Sequence, residues 1–93
     1  MQQADKNFSD ALAAHHRGEL ATAQAGYERC LAHNHDHPSA LVNLGSIHRN
    51  RGEIEAALRY FNRAVAIVPN DFAVRFNLAA CRAFPYICDN HIY

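Results

Sequence analysis

The residues of this chain best suited to chemistry are its histidines, seven among 93 residues. Three alternate in His33-Asn34-His35-Asp36-His37. Imidazoles at every second position of an extended strand face one side. With Asp36 beside them they are candidate ligands for zinc, nickel or copper. The competing reading is a solvated polar turn. Cys81, Cys88 and His91 make a second ligand-like spacing, one group short of the usual structural zinc set. Neither pattern shows the hydrogen-bonding partners that orient metal ligands, so no metal and no cofactor is expected. Cys30 and His33 fall one helical turn apart, as a nucleophile and its base can. Cys30, however, occupies a packing position, where burial raises a thiol pKa and blunts its reactivity. There is no glycine-rich phosphate loop, no nucleophile elbow and no pair of carboxylates set in a recess. No catalytic residue is assigned, and the chain is read as a non-enzyme.

Charge narrows the partners. Nine basic residues balance nine acidic ones, which argues against an electrostatic nucleic-acid or anionic-membrane binder. The longest apolar run is Ala64–Val68, too short to span a bilayer. Three cysteines without framework spacing suit a reducing compartment, and the expected location is cytoplasmic. Seventeen alanines and only five Phe and four Tyr make close helix packing more plausible than a bulky core.

The elements that would position any site emerge from an internal repeat. At one fixed offset Gly18 falls on Gly52, Glu19 on Glu53, Ala23 on Ala57, Tyr27 on Phe61 and Arg29 on Arg63. Carried on, the same offset aligns Val42 with Phe76, Asn43 with Asn77, Leu44 with Leu78 and Gly45 with Ala79. Apolar residues inside each unit follow three- and four-residue spacing, which predicts helices near 5–17, 20–33, 38–51, 54–67 and 71–84. Gly18 and Gly52 sit where a left-handed backbone closes a helix. Pro69 ends one helix and Pro38 opens another. Small residues at Ala11, Gly45, Ala23, Ala57, Cys30 and Ala64 let helices approach, and the rings of Tyr27 and Phe61 fill the space between units.

The segment ALVNLGSIHRNRGEIEAALRYFNRAVAIVP resembles a tetratricopeptide repeat (TPR), with Leu44-Gly45, Gly52, Ala57, Phe61, Ala64 and Pro69 at its marker positions. His48 stands where the family usually has Tyr, and Asp10 stands where the second unit has Leu44. The resemblance implies an all-α fold, a short right-handed α-solenoid of antiparallel helix pairs. It divides the chain into a repeat domain at 1–84 (units near 4–37 and 38–71, and a partial unit at 72–84) and a non-repeat tail at 85–93. It implies a non-catalytic scaffold whose first helices line a concave groove for a protein or peptide partner.

By the family's positions, that groove comprises Phe8, Ser9, Leu12, Val42, Asn43, Ser46, Arg49, Phe76 and Asn77. Apolar ribs beside amides and hydroxyls suit an extended peptide or an amphipathic helix. Asn43 and Asn77, one repeat apart, resemble the asparagine ladder of a TPR superhelix, where each amide holds a backbone unit. The alternative is that these amides bond neighbouring helices. A dicarboxylate clamp is excluded, because its first-repeat Lys and Asn positions are Phe8 and Leu12 here and its third-repeat Lys and Arg positions are Ala73 and Asn77, which leaves a carboxylate no charged partner. At the other end, Val74, Phe76, Leu78, Cys81 and Phe84 precede an apolar, aromatic tail. Either the tail covers that helix, or the helix recruits a second copy and the chain is a homo-oligomer. Metal binding at His33, His35 and His37 is the third reading.

Overall fold

A computed structural model describes residues 3–83. Five α-helices follow one another: α1 Gln3–His16, α2 Leu20–His33, α3 Pro38–Asn50, α4 Ile54–Ile67 and α5 Phe72–Ala83. Each lies within two residues of its predicted span. Among the described residues there is no strand. Phe84, the tail at 85–93 and the ligand pattern through Cys88 and His91 lie outside the described residues.

The turns explain the pairing. After α1, the Glu19 N–H donates to the Ala14 carbonyl (2.9 Å) and the Gly18 N–H to the His15 carbonyl (3.0 Å). This double closure needs a left-handed residue, and Gly18 has φ +80°. The bonds recur after α3, from Glu53 to His48 and from Gly52 to Arg49, with Gly52 again at +80°. Each closure reverses the chain, so α1 packs against α2 and α3 against α4 as antiparallel pairs. Between pairs the helices start on side-chain caps. His37 Nδ1 accepts the Ala40 N–H (3.2 Å), and Asp71 Oδ1 accepts the Val74 N–H (3.1 Å). These caps stand exactly one repeat apart, so His37 fills at α3 the place that Asp71 fills at α5.

Each helix packs chiefly on its neighbours in the chain, the pattern of a solenoid. Tyr27, Leu41, Leu44 and Ile47 are fully buried between the two pairs. Phe61 is fully buried with Ala57 and Cys81, beneath α5. Helices come closest at their smallest residues. A Cβ on Gly26 would lie 2.7 Å from Ala11 Cβ, and one on Gly45 would lie 2.6 Å from the Phe61 ring. The architecture is an all-α, TPR-like solenoid.

Candidate functional site

The first helices of the pairs, α1, α3 and α5, border a recess of about 340 Å³. Phe8 comes from α1, Pro38, Ser39, Val42 and Asn43 from α3, and Ala73 and Val74 from α5. Val68 and Asp71 close it from the link between α4 and α5. Helical periodicity puts Ser39, Val42 and Asn43 on one face of α3. Phe8 is held by rings on both sides, 5.8 Å from Tyr27 and 4.9 Å from His37.

Three of the residues expected in the groove meet here: Phe8, Val42 and Asn43. Ser9 is exposed on α1, while Leu12 and Ser46 are half-buried further along their helices. Phe76 departs from the expectation. It pairs with Phe72, ring centroids 6.0 Å apart, in a separate recess formed with Val65, Pro69 and Leu78. Phe72 and Phe76 stand one turn apart on α5, which brings their rings together. Phe72 is 80% exposed and Phe76 60%.

Asn43 and Asn77 are also not two equivalent free rungs. Asn43 Nδ2 donates to the Tyr27 hydroxyl oxygen (3.1 Å), which lies 2.9 Å from His15 Nδ1. Burial, and secondarily His16, lower the pKa of His15. In the neutral tautomer protonated at Nε2, Nδ1 can accept the hydroxyl proton, and Tyr27 bridges α1 to α3 from α2. Burial in turn raises the Tyr27 pKa, against the opposing pull of the Asn43 bond. Moving one repeat along, His15 becomes Arg49, Tyr27 becomes Phe61 and Asn43 becomes Asn77. Phe61 has no hydroxyl. Arg49 instead lies over its ring, 5.8 Å from the centroid, and reaches Asn77 Oδ1 directly at 2.9 Å. Asn77 Nδ2 donates to the Ala73 carbonyl (2.9 Å). Both ends of the Asn77 amide are thus engaged within the protein, and Arg49 joins helices. Asn43 Oδ1 makes no side-chain hydrogen bond among the described residues.

The histidine segment does not form an extended ligand strand. The Asn34 side chain accepts the Asp36 N–H (3.1 Å) and folds the segment into a turn. His37 turns inward to cap α3, its Nε2 3.9 Å from Asp5, while His33 and His35 are exposed. Among the described residues no three His, Cys, Asp or Glu groups are placed to share a metal ion. Cys30 is fully buried, and burial, then Asp5, raise its pKa. The Cys30–His33 pair is therefore no nucleophile. No helix among the described residues is long and apolar enough to cross a membrane.

Val68, Asp71 and Val74 escape the sequence reading, since the family's groove positions lie on the concave face of the first helices alone. Asp71 has one legible signal, its place one repeat after His37, immediately before a helix. The Tyr27 bridge has none, because it joins three helices.

Comparison with known families matches residues 38–81, the span from α3 through α5, to the tetratricopeptide repeat. The five helices fit a short repeat region of that kind. No curated relative and no solved structure matches the chain.

Proposed function

We propose that this tetratricopeptide-repeat region is a non-catalytic interaction module that holds an extended segment of a protein partner along its concave face. Such repeats generally mediate protein–protein contact. The observation that carries the finer reading is the recess itself. Apolar walls from Phe8, Val42 and Val74 adjoin the polar groups of Ser39, Asn43 and Asp71, the mixture that receives a peptide side chain and its backbone. Ser9, Leu12 and Ser46 extend the same line along the first helices. Balanced charge favours a protein over nucleic acid, and the buried Cys30, which forms no disulfide, suits the cytoplasm. A photo-crosslinking residue at Ser39 should capture a partner that the same residue at Glu55, on α4, does not. The bulky Ala73→Trp change should abolish capture. Equal yield from both positions would count against the groove.

The exposed Phe72–Phe76 pair supports a second reading, self-association through α5. Light scattering of wild type against Phe72→Ser/Phe76→Ser decides it: a wild type that stays monomeric at every concentration rejects this reading.

A further inference from the structure

The hydrogen-bond directions around the recess say which side chain it would take, given that the groove reading holds. We infer that the recess receives a lysine of the partner peptide, with the stem against Phe8, Val42 and Val74 and the ammonium between Asn43 and Asp71.

The polar side chains lining the recess are Ser39, Asn43 and Asp71, and the one charge among them is the Asp71 carboxylate. Asn43 gives one of its two amide hydrogens to Tyr27, which leaves Oδ1 as an acceptor beside the second N–H. Asp71 uses Oδ1 to cap α5 and keeps its second oxygen, and its carboxylate has no ion-pair partner among the described residues. No Lys or Arg lines the recess. Arg49 is bound to Asn77 over the Phe61 ring, and Arg75 donates to the Pro69 carbonyl. His37 accepts at Nδ1 and directs Nε2 toward Asp5, a second carboxylate on this side of the molecule.

Three classes of side chain can be compared. An acidic one would meet the Asp71 carboxylate with no Lys or Arg in the lining to offset it. An aliphatic one would fill the walls but strip water from Asn43 Oδ1 and Asp71 without replacing its hydrogen bonds. A lysine satisfies both parts, since its methylenes pack on apolar surface while the ammonium brings three donors and a charge. The acceptors belong to different helices. That arrangement suits a point cation better than the planar fork of arginine, which is matched to one bidentate carboxylate.

The test is a randomised peptide library displayed on phage, selected against wild type, Asp71→Asn and Ala73→Trp. Asparagine caps a helix about as well as aspartate, so Asp71→Asn removes the charge and keeps the fold. Circular dichroism melts of both variants check this. We expect peptides with lysine at one fixed position beside aliphatic residues, and loss of that enrichment on Asp71→Asn. A selected synthetic peptide should lose roughly tenfold in affinity on Asp71→Asn or on acetylation of its lysine, with the difference shrinking in high salt. Peptides blocked by Ala73→Trp yet not enriched in lysine, or indifferent to Asp71→Asn and to acetylation, overturn the lysine assignment and leave the groove standing. Peptides indifferent to Ala73→Trp, or no selected peptide at all, overturn both.

Discussion

Tyr27 is the residue on which the first two pairs are joined. Its ring is fully buried and its hydroxyl serves His15 and Asn43 together. Tyr27→Phe keeps the packing but leaves the half-buried Asn43 amide without its acceptor, and should cost about 1–2 kcal/mol in urea unfolding. The second unit already pairs a Phe with an Arg at the corresponding positions. His15→Arg added to Tyr27→Phe should therefore recover part of the loss, and a double-mutant cycle would show the coupling. Acid offers an independent probe. The His15 pKa is lowered in the folded protein, so between that value and the free-imidazole range the unfolded chain binds the extra proton. Stability is complete above the free-imidazole range and falls as pH drops through the folded value. The melting temperature should decline from pH 7.5 to 5, and less steeply in His15→Gln, whose amide oxygen can also accept from Tyr27. Parallel pH profiles would show that His15 has no such role.

Turns and close approaches set the helices against each other. Gly18 has open space around the position of a Cβ, so Gly18→Ala isolates the backbone cost of φ +80°, about 1–2 kcal/mol. Gly45→Ala tests the opposite case, a permitted backbone with no room. Its new methyl would press on the buried Phe61 ring, and a loss of about 1–3 kcal/mol is expected. For Gly26→Ala the obstacle is the Ala11 methyl, so adding Ala11→Gly should restore most of the stability. Thermal melts of the three variants and of the double mutant check these outcomes. A harmless Gly45→Ala would mean that α3 and α4 do not meet at this point. Helix spans were legible because glycine follows α1 and α3, and proline follows α4 and takes the first position of α3. The cap at His37 was less so, since histidine is not among the usual capping residues.

At the scale of the whole molecule, a stack of pairs shares its stability between neighbours. Leu78 and Ala79 of α5 occupy the positions that Leu44 and Gly45 of α3 fill against α4, and here they border the recess beside Phe72 and Phe76. Phe72→Ser/Phe76→Ser should therefore leave monomer stability within about 0.5 kcal/mol, as expected for exposed positions. A large destabilisation would show that these rings are covered in solution. What the amino-acid order determined by itself was everything that repeats: the all-α class, the five helices, their glycine turns and the small residues at their contacts. Those features are local, or recur at one fixed offset, so a linear reading finds them. What only the tertiary structure decided was the use made of equivalent residues. Asn43 and Asn77 occupy one repeat position, yet one keeps an acceptor for the recess and the other is consumed by Arg49. Val42 and Phe76 occupy another, yet one lines the recess and the other pairs with Phe72 in a separate one. The difference comes from neighbours on other helices, a hydroxyl present on Tyr27 and absent from Phe61, and contacts of that kind have no period along the chain.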